Sequence, residues 1–178
     1  MNKVIFAGGC FWCVEHDLRE VNGVIDVVSG YTGGESNNPT YENHSGHREA
    51  VQVEYDPNKT NFKKLTQFFL DHIDPTDEGG QFGDRGSSYK TAIYFNTVEE
   101  KIIAETLLKE LDESHIYENS HAVEVLETKP FYKAEEYHQN YAEKNPTHYA
   151  LYREGSGREA FVNRTCLVRE DKHINWKD

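Results

Sequence analysis

The sequence predicts a single α+β domain, a two-layer ferredoxin-like α/β sandwich. Strand-like and helix-like patterns follow in the order strand, helix, strand, strand, helix, strand, and then a further helix and strand. The 178 residues suffice for one hydrophobic core, and no repeat, linker or low-complexity segment divides them. We therefore treat residues 1–178 as one domain, with a core over about residues 3–150 and an irregular C-terminal tail over residues 151–178.

The first predicted elements are a strand and a short helix joined by two glycines. A β-branched and aromatic run that ends at Gly8-Gly9 predicts a buried strand over Lys3–Ala7. Residues Phe11–Arg19 contain no helix breaker and are followed by Asn22-Gly23, so a helix should begin at or just after Cys10.

Two further strands and a helix come next. β-Branched and alternating patterns predict strands over Val24–Tyr31 and Glu49–Tyr55, separated by a long polar loop over Thr32–Arg48. Apolar residues at steps of three and four then place one apolar stripe on a helix (Phe62, Leu65, Phe69 and Ile73).

The second half of the chain has weaker patterns. Thr97 and Glu100 form a capping box, and apolar residues at helical spacing follow them (Ile103, Leu107 and Leu111). The other predicted elements are a loop over Asp77–Ser88, strands over Tyr89–Phe95 and Ala122–Leu126, a helix over Tyr132–Glu143 and an irregular segment from Gly155 onward.

Charge and hydropathy exclude two classes of partner. Nineteen Lys and Arg residues stand against 31 Asp and Glu, a formal charge of −12, and nucleic-acid binding needs clustered positive charge. No segment reaches the roughly 18 consecutive apolar residues of a membrane span. The apolar run Val4–Ala7 is too short for an export signal, so we expect a cytoplasmic protein whose three cysteines serve chemistry and not a disulfide framework.

Cys10 is the first candidate for chemistry. A cysteine between a Gly-Gly turn and a helix N-terminus meets unpaired backbone N–H groups, whose partial positive charge favours the thiolate. Cys13, three residues on, is close enough in a first helical turn to form a disulfide with it. The pair indicates dithiol redox chemistry or half of a zinc site. His16 continues the series, and His44 and His47 are further candidates, but no second Cys-x-x-Cys or spaced His pair completes a four-ligand set, so we predict no metal.

Several motifs in order resemble the methionine sulfoxide reductase A family over most of residues 3–150. The matching stretches are Gly9-Cys10-Phe11-Trp12, Gly30-Tyr31-Thr32-Gly33-Gly34, Asn38-Pro39-Thr40-Tyr41, Gly46-His47-Arg48-Glu49-Ala50-Val51, Asp84-Arg85-Gly86-Ser87-Ser88-Tyr89, and Glu136-Tyr137-His138-Gln139-Asn140-Tyr141 with Lys144-Asn145-Pro146. The resemblance implies a thiol-dependent oxidoreductase that reduces methionine S-sulfoxide, free or in proteins, without a metal or organic cofactor.

The resemblance also implies roles for individual residues. Cys10 would be the nucleophile that attacks the sulfoxide sulfur, and Phe11 and Trp12 would form the apolar pocket for the substrate methyl group. Glu49 in its neutral form would be the acid that meets the sulfoxide oxygen, since desolvation beside aromatic groups raises the pKa of a carboxyl. The further site residues that it implies are two hydroxyl donors to the same oxygen, Tyr41 and Tyr89, and a substrate-orienting carboxylate, Asp84.

A second thiol must reset the sulfenic acid that this reaction leaves on Cys10. Many family members have glycine where this chain has Cys13, which supplies a resolving cysteine in the active-site turn. Cys166 resembles the C-terminal resolving cysteines of other members. Either could form the disulfide with Cys10, or Cys13 could form it and pass it to Cys166. The resemblance names thioredoxin as the final reductant.

Two alternatives remain open on the sequence. Cys10-Phe11-Trp12-Cys13 alone would suit a general dithiol-disulfide oxidoreductase, which has no need of Glu49 or Tyr41. The same dithiol could also belong to a metal-binding or redox-sensing module without turnover. Elemental analysis for zinc and one turnover assay with a methionine sulfoxide substrate would distinguish these two hypotheses from a methionine sulfoxide reductase.

Overall fold

The structure, a computed structural model, describes residues 2–171, which form a sheet with helices packed against it. The strands are β1 Asn2–Ala7, β2 Val24–Thr32, β3 Arg48–Tyr55, β4 Gly80–Gln81, β5 Asp84–Arg85, β6 Ala92–Phe95, β7 Glu124–Glu127 and β8 Phe131–Lys133. The α-helices are α1 Phe11–Arg19, α2 Phe62–Asp71, α3 Val98–Glu113, α4 Tyr141–Lys144, α5 Pro146–Gly155 and α6 Arg158–Asp171, with short 3-10 turns at Ser87–Tyr89 and Glu136–His138.

Six strands form one mixed sheet in the order β7-β6-β1-β3-β2-β8. Only β6 and β7 are parallel in this sheet, and its other neighbouring strands are antiparallel. β2 and β3 pair along nearly their whole length, with Tyr31 opposite Glu49. The predicted α+β class is therefore confirmed, and so are the predicted strands at the start of the chain.

The period of two along each strand divides the core between the two faces of the sheet. Helices α1, α2 and α3 cover one face, where their apolar stripes meet alternate residues of β1, β2 and β3 (among them Phe6, Phe11, Leu18, Val27, Val51, Leu65, Phe69 and Leu107). A smaller buried cluster lies on the intervening positions (Ile5, Ala7, Ala50, Ala92 and Tyr94). Among the described residues, no helix is long and apolar enough to cross a membrane.

The predicted helix over Tyr132–Glu143 is wrong. Its beginning lies in β8, where Tyr132 pairs with Tyr31 at the sheet edge, and a 3-10 turn and the four-residue α4 follow. The mixed aromatic and polar residues of this segment show no clear hydrophobic periodicity in the sequence. Pairing with β2 decides its conformation.

The prediction of an irregular C-terminal tail is also wrong, because most of that segment is helical. α5 begins with Pro146 at its first turn, a position that proline favours. Within residues 158–169 of α6, the buried positions are Arg158, Val162, Thr165 and Arg169, so two of these four anchors are arginines and no apolar stripe marks the helix in the sequence. Tail residues 172–178 lie outside the described part of the chain.

Candidate active site

The site begins at the turn between β1 and α1. Gly9 has a φ of +82°, and a Cβ on it would come within 2.5 Å of the Gln81 Cβ, so glycine is required there. Cys10 is the N-cap of α1 and is 5% exposed. The sequence expectation of a cysteine between a Gly-Gly turn and a helix start is confirmed.

Cys10 and Cys13 lie in contact on the first turn of α1. Both are unbridged and buried, and their thiols are hydrogen-bonded to each other. Burial raises the pKa of the Cys10 thiol well above its ordinary value, and the hydrogen bond and charge of Cys13 act in the same direction. The two cysteines are therefore placed for a disulfide, and burial disfavours the thiolate of Cys10.

Burial of Cys10 opposes the thiolate that the sequence led us to expect at the helix N-terminus. The Phe11 N–H, the first amide of α1, donates its hydrogen bond to Glu49 Oε2 at 3.1 Å. The partial positive charge of the helix start therefore acts on the carboxyl of Glu49, while desolvation dominates at Cys10.

Glu49 occupies a core position of the sheet. It is 2% exposed and lies on the same face of β3 as Val51 and Val53, because alternate residues of a strand share a face. Burial raises the pKa of Glu49 to about 8, against the lowering effect of the Phe11 hydrogen bond, and the charges of Asp84 and Cys13 add to the rise. The raised pKa expected from the sequence is present, and the carboxyl carries a proton at neutral pH.

Seven of the site residues that the sequence predicted line one pocket, together with one further residue, Tyr152. The pocket encloses about 320 Å³, part of it open to solvent, and is lined by Cys10, Phe11, Trp12, Tyr41, Glu49, Asp84, Tyr89 and Tyr152. These residues come from separate elements: α1, the loop before β3, β3 itself, β5, the 3-10 turn after it, and α5. Burial raises the pKa values of the Tyr41 and Tyr89 hydroxyls, so both remain proton donors at neutral pH.

The Trp12 indole is fixed by two neighbours. Its Nε1 donates a hydrogen bond to His138 Nδ1 at 3.1 Å, and its ring stacks on Tyr141 with 3.8 Å between centroids and 7° between planes. Since the Nδ1 of His138 accepts, that imidazole is neutral, and burial lowers its pKa in the same sense. The indole therefore presents a rigid apolar wall to the pocket.

The loop that carries Tyr41 is tied to the fold at two points. The Tyr41 N–H donates to Glu135 Oε2 and the Tyr31 hydroxyl donates to Glu135 Oε1, each at 3.0 Å. Within the loop, buried His47 accepts from the Gly34 N–H at 3.2 Å and contacts Ser36 through its other ring nitrogen. Both nitrogens of His47 are thus engaged in holding the loop.

Tyr152 is the pocket residue that the sequence reasoning missed. Its hydroxyl donates a hydrogen bond to the Asp84 carboxylate and also contacts Cys10. Its ring meets Trp12 edge to face, with centroids 5.8 Å apart. The available signal was the helical spacing of Tyr149, Tyr152 and Arg153, which all face the cysteine turn.

Cys166 lies apart from this pocket. It is exposed on α6, eight residues beyond Arg158, which is about 12 Å along a helix axis. It is not a lining residue of the pocket.

The histidines considered as metal ligands have other partners. His16 packs against Tyr149 at 5.2 Å between ring centroids, and His44 is bonded to the Thr40 carbonyl. Among the side chains that the structure describes, those of residues 2–169, no three His, Cys, Asp or Glu are grouped so that they could hold a metal ion.

A buried dithiol beside a protonated carboxyl and an apolar wall can attack an electrophilic centre and protonate the group that leaves, which defines a thiol-dependent reductase. Residues 2–169 match the sequence profile of the family described as peptide methionine sulfoxide reductase. The chain belongs to the peptide methionine sulfoxide reductase family, a family of oxidoreductases. The resemblance stated from the sequence is confirmed.

Similar proteins cover nearly the whole chain. A Bacillus velezensis protein named peptide methionine sulfoxide reductase MsrA is 49% identical over 177 residues, which is 97% of this chain and 94% of the relative. A Bacillus subtilis protein of the same name is 49% identical over 162 residues, 89% of this chain and 92% of the relative.

Two solved structures share the fold. The crystal structure of Mxr1 from Saccharomyces cerevisiae in reduced form has a TM-score of 0.76 and 30% identity, covering 82% of this chain and 86% of that one. Methionine sulfoxide reductase A of Corynebacterium diphtheriae has a TM-score of 0.71 and 29% identity, covering 81% of this chain and 74% of its own.

Proposed function

We propose that this protein reduces methionine S-sulfoxide, free or in proteins, to methionine. The observation that carries the proposal is the convergence of one cysteine, one protonated carboxyl and an aromatic wall on a single pocket. A sulfoxide needs all three: a nucleophile for its sulfur, a proton for its oxygen and an apolar surface for its methyl group.

In the first step, the Cys10 sulfur attacks the sulfoxide sulfur while Glu49 protonates the oxygen. The thiol proton of Cys10 then returns to Glu49, the oxygen passes to the cysteine, and the products are methionine and the Cys10 sulfenic acid. Tyr41 and Tyr89 donate to the oxygen, Phe11 and Trp12 hold the methyl group, and Asp84 orients the substrate. The raised pKa of Glu49 supports its part, because the carboxyl carries the required proton at neutral pH.

In the second step, Cys13 attacks the sulfenic sulfur and water leaves, so that a Cys10–Cys13 disulfide forms. Contact between the two side chains supports Cys13 over Cys166 as the first resolving thiol, since no chain segment must be ordered to bring them together. Cys166 could receive the disulfide afterwards by exchange, and thioredoxin is the expected final reductant.

A single turnover without added reductant tests the function and the order together. Reduced protein mixed with a methionine sulfoxide peptide should give about one methionine per enzyme, and early quenching followed by mass mapping should find the Cys10–Cys13 disulfide with Cys166 free. An early Cys10–Cys166 bridge with Cys13 free would overturn the order. No methionine, together with rapid reduction of unrelated protein disulfides, would favour a general dithiol oxidoreductase.

Replacing Tyr152 with phenylalanine should slow the first step about tenfold. The change removes the hydroxyl that donates to Asp84 and contacts Cys10, and a hydrogen bond to a charged group contributes on the order of 1.5 kcal/mol. Rapid-quench measurement of methionine formation checks this. Tyr132→Phe is the matched control, because the Tyr132 hydroxyl binds Asn37 away from the pocket, and equal rates in both variants would refute the role of Tyr152.

For the fold and its setting, we infer that β1-α1-β2-β3-α2-β6 is a ferredoxin-like unit within one domain. The order β6-β1-β3-β2 with antiparallel neighbours supports this topology. A cytoplasmic location, where thiols are kept reduced, suits the unbridged cysteine pair.

A further inference from the structure

Phe82 lies at the tip of the β4–β5 hairpin in a backbone conformation that bulky residues rarely adopt. The paired strands leave two residues, Phe82 and Gly83, to form the loop between them. The φ of Phe82 is +54°, and Gly83 beside it does not share this left-handed φ, although glycine accepts one without steric cost. The other non-glycine residues with positive φ in the described part of the chain belong to types that tolerate it better (Asn38, His115 and Asn140). The strained backbone of Phe82 therefore needs contacts that hold it.

The start of α6 supplies these contacts. The Phe82 ring meets Phe161 edge to face, with 5.3 Å between centroids. The guanidinium carbon of Arg158 lies 4.8 Å from the centre of the same ring, within the range of a cation–π contact. Arg158 is itself 2% exposed and donates hydrogen bonds to the Gly8 and His72 carbonyls. The Phe82 ring is therefore held by two side chains of α6, one of which is anchored in the core.

The same hairpin carries Asp84, which lines the substrate pocket. The Asp84 carboxylate accepts a hydrogen bond from Tyr152 of α5. A Cβ on Gly83 would lie 3.7 Å from the Ser156 Cβ, so the loop also contacts the junction between α5 and α6. Phe82 is not among the described residues that line the pocket, so any effect of its ring on the substrate passes through the hairpin.

We propose that Phe82 is a positioning residue that directs the Asp84 carboxylate into the substrate pocket, with its ring held by Phe161 and Arg158 of α6. The inference rests on the proposed function, in which Asp84 orients the substrate, and deepens it by making substrate binding depend on α6. Without the ring contacts, the loop would relax toward a negative φ at Phe82. That rotation would redirect the chain two residues before the carboxylate and move it away from the substrate.

The first test is a single-turnover titration of the full-length chain with a methionine sulfoxide peptide. Phe82→Ala removes the ring contacts and should raise the peptide concentration for half-maximal rate about tenfold, since a misdirected carboxylate loses a charged hydrogen bond to the substrate. The maximal rate should stay within about twofold, because Cys10 and Glu49 lie outside the hairpin. Phe82→Tyr keeps the ring and should restore the wild-type concentration.

Phe95→Ala is the matched control. Phe95 is also half-buried and has a cation, Lys101 Nζ, 5.8 Å from its ring centre. It lies at the opposite end of β6 from Ala92, which pairs with Ala7 beside the glycine turn. Phe95→Ala should leave both constants in place even where it lowers the melting temperature as much as Phe82→Ala. Equal half-maximal concentrations in wild type and Phe82→Ala would overturn the proposal.

A double-mutant cycle tests whether Phe82 acts through Asp84. Asp84→Ala should itself raise the half-maximal concentration, and adding Phe82→Ala should then change it by less than about twofold, because the carboxylate to be positioned is already gone. Two effects that multiply would refute the proposal, and so would an Asp84→Ala protein with the wild-type concentration.

Hydrogen exchange of the hairpin amides gives a readout that does not depend on sulfoxide reduction. The Gly86 N–H donates to the Gly79 carbonyl at 2.8 Å and closes the base of the hairpin. Mass spectrometry over residues 79–86 should show faster exchange in Phe82→Ala and wild-type exchange in Phe82→Tyr and Phe95→Ala. Unchanged exchange in Phe82→Ala would show that the ring does not hold the hairpin. Failure of the proposed function would instead appear as no methionine from the wild-type protein, with exchange still faster in Phe82→Ala.

Discussion

Cys10→Ser is expected to abolish methionine formation, even when enzyme and substrate react once. Cys10 is the thiol that lines the pocket, and it faces the Glu49 carboxyl that would protonate the oxygen. A serine hydroxyl is a far weaker nucleophile toward sulfur and cannot form a sulfenic acid. Loss of a covalent nucleophile should cost on the order of 10⁴ or more in rate.

The other two cysteines provide the controls for this result. Cys13→Ser and Cys166→Ser should each still give about one methionine per enzyme, because both residues act after the oxygen has left the substrate. Quantifying methionine by chromatography after a single turnover distinguishes the three variants. Substantial product from Cys10→Ser would remove the central role of this residue.

The sequence predicts the pocket well because its residues lie in short motifs with strict local geometry. Gly9 must be glycine for the turn, Cys10 must follow it to cap α1, and Glu49 falls on the core face of β3 by strand alternation. The resemblance to a known family then adds Tyr41, Asp84 and Tyr89, whose positions in loops and turns no periodicity would reveal.

The C-terminal part of the site could not be predicted, because its anchors do not look like core residues. Arg158 and Arg169 are buried through carbonyl, ring and carboxylate contacts that depend on distant segments. Tyr152 belongs to α5, whose large apolar residues do not all lie on its buried face: Leu151, for example, is 67% exposed. The apolar pattern of the helix therefore does not show which of its side chains are buried. The raised pKa of Cys10 escaped prediction for a similar reason, because it results first from burial by segments that are distant in the sequence.

Glu49→Gln is expected to slow methionine formation by about 10² to 10⁴, the usual cost of losing one general acid. The amide keeps the shape of the side chain and a weak donor, so Glu49→Ala should be slower still. Glu54→Gln is the matched control: Glu54 lies on the same strand, but it pairs with Lys3 near the surface and should leave the rate unchanged. Wild-type single-turnover rates in both Glu49 variants would show that the proton comes from another group.

The pH dependence separates an acid from a residue that only shapes the pocket. Burial raises the pKa of Glu49 to about 8, so the carboxyl holds its proton below that pH and loses it above. The single-turnover rate of the wild-type protein should therefore fall as pH rises through about 8, provided the reacting form has Glu49 protonated. In Glu49→Gln, this alkaline decline should disappear while the rate stays low throughout, since an amide does not titrate. An unchanged alkaline decline in Glu49→Gln would assign the falling limb to a different group, and the acid would have to be sought among Tyr41 and Tyr89, whose hydroxyls line the same pocket.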